Sequence, residues 1–278
     1  MSILLFTVLI FFIASLAGLV GSLTGLGGGV VIIPLLTLVF KVDIHYAIGT
    51  SLISVIATSS GAAAAYVKEG ITNIRLGMFL ELATTIGAII GAFIATYVSP
   101  SAIAIVFGII LILSALTSFT KKKEVIYAEN PDTIGHKLKL NNHFPDQGKI
   151  IPYEVRNVAG GFAVMNVAGI LSGLLGIGSG ALKVIAMDRI MKIPFKVSTT
   201  TSNFMIGVTA AASAGIYMKR GYIDPALSMP VVIGVLLGAF IGTKILFRAK
   251  ADTLKIIFAF VIMFLAAEMI YNGITHQL

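Results

Sequence analysis

The sequence predicts an all-α polytopic membrane protein made of two five-segment inverted-topology repeats, each with a glycine-broken short helix. Three observations carry that prediction: extreme apolarity, a series of segments of bilayer-crossing length, and a match of the chain to itself. Of the 278 residues 57% are hydrophobic and only 12% charged, with a mean hydropathy of +1.00. A soluble domain has roughly twice that share of charge, because its surface must be solvated.

The apolar segments come in a fixed order. Eight runs, at 2–23, 44–66, 76–98, 101–119, 158–175, 195–218, 225–247 and 254–271, mostly have the ~20-residue length that crosses hydrocarbon at a rise of about 1.5 Å per residue. Two more, 30–40 and 181–193, are too short to cross comfortably alone. The first run has the length of a secretory signal, and "ASLAG" resembles a cleavage site. It lacks a basic start and a matching segment recurs in mid-chain, so it reads as a retained span.

Displacing the sequence by 151 positions aligns 18–94 with 169–245 without a gap, and about 20 of the 77 pairs are identical. The identities include Gly25/Gly176, Gly27/Gly178, Gly29/Gly180, Thr50/Thr201, Ser51/Ser202, Thr58/Thr209, Gly70/Gly221, Gly87/Gly238 and Gly91/Gly242. Residues 1–120 and 157–278 are therefore two copies of one unit, joined by a polar, basic connector at 121–156.

Positive charge is retained on the cytoplasmic side of membrane proteins. With the connector in the cytoplasm and each short helix counted as a crossing, Lys68, Arg75, Arg189, Lys192, Lys196, Lys244, Arg248 and Lys250 all lie inside, and Lys41, Lys219 and Arg220 outside. Five crossings per half turn the second copy upside down. The same scatter of charge over helix ends assigns the net +8 to membrane orientation rather than to nucleic acid. Zero cysteines exclude disulfides and thiol ligands. His45, His136, His143 and His276 have no metal-ligand spacing, so no cofactor is expected.

The glycine breaks, "TGLGGG" and "LGIGSG", are the functional signal. In lipid a broken helix is tolerated only when buried in protein or lining a wet cavity. A helix restarting there points unpaired N–H groups and the positive end of its dipole at the break, and glycine lets a bound group approach the backbone. Two breaks related by inversion would aim at one centre and hold a small anion. This assigns Gly27, Gly28, Gly29, Gly178, Ser179 and Gly180 to binding. A dinucleotide loop would need a strand before the glycines and a βαβ unit around them, and both flanks are membrane segments.

The helix after each break carries hydroxyls in an apolar setting, "GTSLISVIATSSG" and "STTTSNFMIGVTAAAS". Thr50, Ser51, Thr201, Ser202 and Asn203 either contact the ligand or serve close helix packing. Charges within spans are costly and need a reason. Lys183, where the first copy has Ile32, either supplies the site's positive charge or pairs with a carboxylate. Glu81 either carries a coupling proton, if burial favours its neutral form, or pairs with a lysine of the bundle. Asp188 and Lys192 would form a solvated pair, and Glu268 lies toward an interface. No residue set suggests an enzyme. Gly87, Gly91, Gly238 and Gly242 form two GxxxG pairs suited to close contact within a protomer or across a homodimer.

The segments "GLVGSLTGLGGGVVIIPLL" and "GLLSGLLGIGSGALKV", the "GTSL" and "TTSN" helix starts, and the turns "YVKEGITNIRLG" and "YMKRGYIDPALS" resemble the TauE/SafE sulfite exporters, also called the 4-toluene sulfonate uptake permease family. The resemblance spans nearly the whole chain except the connector. It implies a secondary transporter of the cell (inner) membrane that moves sulfite, sulfoacetate or related organosulfonates, whereas spacing and composition name no sulfur. An anion channel and a non-transporting assembly factor are the alternatives. The copies differ at Gly28/Ser179, Ile32/Lys183 and Pro34/Ile185, so the half-sites are not equivalent.

Overall fold

The computed structural model describes residues 3–24, 28–68, 70–118, 133–146, 149–246 and 251–275. Nearly all of it is helical. The first half runs α1 (Ile3–Thr24), α2 (Gly29–Pro34) continued by a π-helical turn (Leu35–Val39), α3 (Ile44–Lys68), α4 (Ile74–Ala95) and α5 (Pro100–Ser118). The second repeats it as α7 (Val158–Leu175), α8 (Gly180–Ile185) with a π-helical turn (Ala186–Ile190), α9 (Phe195–Lys219), α10 (Pro225–Leu246) and α11 (Ala251–Ile274). Between them lie α6 (Thr133–Lys137) and the antiparallel ribbon β1 (Asn142–Asp146) with β2 (Lys149–Tyr153).

The duplication extends to backbone angles. Lys41 and Lys192 both turn left-handed, at φ 55° and 57°, and so do Gly70 and Gly221, at 70° and 77°. The π turn recurs where Ile185 replaces Pro34, so proline is not its cause.

Side-chain size is arranged for lipid. Helix α4 turns Gly77, Ala83, Gly87, Ala88, Gly91 and Ala92 inward, and Met78, Leu82, Ile86, Ile90 and Phe93 outward. Without water to drive helices together, small residues win at the interface because they let backbones meet. By length and apolarity alone, Ile74–Ala95 and Val158–Leu175 qualify as spans among the described residues, with shorter apolar stretches in α1, α2 with its π turn, α5, α10 and α11.

Helix partners come from opposite halves. Gly87 and Gly91 of α4 lie on the Asn166 and Ile170 backbone of α7, while Gly169 and Gly173 of α7 lie on Thr84 and Ala88 of α4. Gly234 and Gly238 of α10 meet Phe11, Ser15 and Leu19 of α1 in the same ascending order. Both pairs are therefore parallel. In contrast α3 and α9 cross antiparallel, with Ser59 at Gly207 and Gly49 at Tyr222, and α5 opposes α11, with Gly108 at Ala266 and Ser101 at Gly273. Exchanging the halves maps this set of partners onto itself. The GxxxG glycines Gly87, Gly91 and Gly238 are thus occupied within the protomer.

The described part of the connector, 133–146 and 149–156, is folded structure rather than a polar loop. Leu140, Phe144, Tyr153 and Val155 are buried with Leu76 and Leu80 of α4, Met187 and Met191 beyond α8, and Val197 of α9. Asn73 ties it to α4: its Oδ1 caps the helix by accepting from the Leu76 amide at 3.1 Å, and its Nδ2 donates to the Leu140 carbonyl at 2.9 Å and to Tyr153 Oη at 2.8 Å. Burial pushes the Tyr153 phenol up from its ordinary pKa, with the Asn73 bond opposing.

Candidate functional site

The described end of the first interruption, Gly28 and Gly29, meets the second where α3 and α9 cross. Gly29 opens α2 fully buried, with the Ser51 hydroxyl, Val55 and the Gly176 carbonyl occupying the space a Cβ would need. Gly178 faces Val55 and Ile206 in the same way. The serines shared by the two copies both tie down the second break: Ser51 Oγ donates to the Gly176 carbonyl at 2.8 Å, and Ser202 Oγ to the Gly180 carbonyl at 3.1 Å. Gly27 lies outside the described residues.

The break at 176–180 is left-handed at three positions, Gly176 (φ 67°), Gly178 (69°) and Ser179 (46°). Glycine takes that conformation freely and serine does not. Among the described residues no acceptor is bonded to the amides of Ile177, Gly178 or Ser179. Among the described residues the buried Ser179 hydroxyl has no hydrogen-bond partner, nor has Ser172 Oγ a turn before the break. Gly28 instead has ordinary helical angles, φ −64° and ψ −20°, and faces Val235 and Ile32.

One turn into α8, Lys183 is fully buried at 0% exposure. Its Nζ donates to Thr209 Oγ1 of α9 and stands 4.0 Å from Glu81 Oε2 of α4. Thr209 Oγ1 in turn lies 2.6 Å from Glu81 Oε1 as donor, and Thr85 Oγ1 donates to the same oxygen at 3.2 Å. Thr84 Oγ1 is 3.4 Å from Thr209 Oγ1. Glu81 Oε2 is buried without a hydrogen-bond partner among the described residues. The two ionisable groups that the sequence offers separately therefore form one centre, bridged by a hydroxyl. At the equivalent places of the other copy stand Ile32, Val232 and Val235, with Thr58 bonded back to its own helix at the Ser54 carbonyl, 3.0 Å away. Among the described residues, ionisable side chains stand in only one of the two half-sites.

Of the other sequence-derived residues, Thr50 and Thr201 are fully buried in helix contacts: Thr50 Oγ1 with Ser228 Oγ at 3.3 Å, and Thr201 Oγ1 accepting from the Asn73 amide at 3.1 Å. Asn203 is half-buried on α9. Sequence reasoning missed the bridging threonine, and also Thr84 and Thr85. Thr209 lies in the hydroxyl-bearing segment "STTTSNFMIGVTAAAS", but nothing in the spacing points it at residues 128 and 26 positions away. Among the described residues no group of three metal-ligating side chains comes together.

A family model, sulfite exporter TauE/SafE, matches residues 10–269. The chain belongs to the TauE/SafE family. Among curated TauE/SafE relatives it is similar to the probable membrane transporter protein YunE of Bacillus subtilis, 32% identical over 93% of this chain and 95% of the relative. It is also similar to YdhB of the same organism, another probable membrane transporter protein, at 28% over 85% and 89%. A probable membrane transporter protein of the archaeon Methanocaldococcus jannaschii is 24% identical over 91% of both chains. No solved structure matches. Membership fits the all-α membrane architecture, and the resemblance read from the glycine motifs is the family that the model identifies.

Proposed function

We propose that this TauE/SafE protein is a secondary transporter of small sulfur-containing anions, sulfite or organosulfonates such as sulfoacetate, working by alternating access with a proton as coupling ion. The observation that carries the reading is the meeting of the described end of the first glycine break with the second at the α3–α9 crossing, beside a fully buried lysine. The unbonded amides and free hydroxyl at 177–179, together with Lys183, offer donors and positive charge where an oxyanion would sit. Glu81 supplies the group that gains and loses the proton.

Inversion of the two repeats is supported by helix direction. Short turns reverse the chain between α3 and α4 and between α9 and α10, so the parallel and antiparallel pairs set α1 and α3 one way, and α7 and α9 the other. For α1 and α3 to agree, α2 must lead back toward the face where α1 began. The Phe40 ring, just after the π turn, packs edge-on to Phe6 near the start of α1, at 5.5 Å. At about 1.5 Å per residue, α2 and its turn cover roughly half the hydrocarbon thickness, which sets the break near mid-depth. With the connector cytoplasmic, the protein is a multi-pass protein of the cell membrane.

Counterflow of labelled sulfite or sulfoacetate into proteoliposomes tests the reading. Saturable uptake driven by unlabelled anion inside is expected. Flux that rises linearly without saturation would make the protein a channel, and no flux with any sulfur oxyanion would overturn the proposal.

A further inference from the structure

Resting on that reading, we propose that Glu81 is an internal counter-ion that a proton must remove before Lys183 can hold the transported anion, so that one proton and one monovalent anion bind together.

The geometry is that of a pair held near one another without being consumed. Lys183 Nζ and Glu81 Oε2 are 4.0 Å apart, beyond hydrogen-bonding distance. Thr209 lies between Lys183 and the other oxygen, Oε1. An ammonium has three donors, and those not spent on Thr209 are free to turn toward a ligand. Glu81 Oε2 has no hydrogen-bond partner among the described residues, so it can take a proton without breaking such a bond, while Oε1 keeps those from Thr209 and Thr85. The unpartnered Ser179 hydroxyl lies one turn before Lys183, whose amide donates to the Ser179 carbonyl at 3.1 Å.

Charge balance supplies the coupling. Lys183 and Glu81 cancel within a low-dielectric interior, and adding an anion beside ionised Glu81 would leave an unbalanced buried charge, which is costly. If a proton joins Oε2 as the anion arrives, the site holds Lys183⁺, the anion and a neutral carboxylic acid. The only covalent change is one O–H bond formed from a solvent proton, and the net charge of the site stays at zero. No other titratable group among the described residues of the packed elements replaces either partner. Helix α7 has none. Arg75 at the start of α4 donates to the Lys139 carbonyl, and Tyr217 of α9 to the Gly173 carbonyl. Asp188 and Arg189 follow in the π turn beyond α8, and Lys196 and Lys219 lie at the two ends of α9.

The test uses the purified full-length protein and methanesulfonate, which stays ionised throughout the range, titrated calorimetrically from pH 5 to 9 in buffers of different ionisation enthalpy. Wild type should take up about one proton per anion, its affinity falling about tenfold per pH unit where Glu81 is ionised. Glu81→Gln should bind without proton uptake on the acid side of pH 7, no more weakly than wild type at its acid limit. Lys183→Gln should lose binding throughout. Anion binding without proton uptake in wild type, weaker binding by Glu81→Gln at every pH, or retained binding by Lys183→Gln each overturns the inference while leaving the transport reading standing. Failure of wild type to bind methanesulfonate, sulfite or sulfate at any pH would overturn both. The wild-type proton count on the acid side of pH 7, where a lysine has no proton to gain, decides the matter even if a variant does not fold.

Discussion

Lys183 shows how a single side chain can be legible in type and illegible in purpose. A charge in an apolar run demands an explanation, and the sequence narrowed it to a ligand or a carboxylate. That the carboxylate is Glu81, reached through Thr209, depends on α4, α8 and α9 meeting, which no local pattern encodes. Removing one member of a buried pair strands the other, at about 3–5 kcal/mol, whereas a hydrogen bond within a membrane bundle averages about 0.6 kcal/mol. Lys183→Ala should therefore lower the unfolding temperature in detergent by several times as much as Thr209→Val. Equal losses would mean that the hydroxyl does as much as the charge pair to hold α8 in place.

At the scale of elements, helix positions follow from apolar run lengths, because a bilayer sets both the length and the composition of what crosses it. The glycine breaks were legible for the same reason. The ribbon in the connector was not. Pro145 and Pro152 sit within β1 and β2, and proline argues against a strand unless the strand is an edge, which both are in a two-stranded sheet. The GxxxG glycines were legible as close-contact sites but not as to partner, and the structure spends Gly87, Gly91 and Gly238 on contacts inside one chain. Gly91→Leu, which drives a side chain into the Ile170 backbone, should abolish folded monomer on size exclusion. Gly215→Ala, on an exposed helical face with nothing within 4 Å of the new Cβ, should be neutral or up to about 1 kcal/mol stabilising in the same detergent. Comparable losses would refute the packing role.

For the whole molecule, the duplication was visible as a displaced match, but the interlocking was not: α1 belongs with α10, and α4 with α7. Neither half therefore buries its own small-residue faces. Chains split between residues 121 and 131 should accumulate only when co-expressed and should purify as one complex. Stable accumulation of either half alone would contradict the interlock. The hairpin at 142–153 has a further consequence, because it has no counterpart in the duplicated pattern. Two perfect copies would give a machine with no preference between its two facings, each being the other with the halves relabelled. The ribbon is seated on Leu76, Leu80 and Met191, so under the proposed alternating access it adds contacts to one facing that the other lacks.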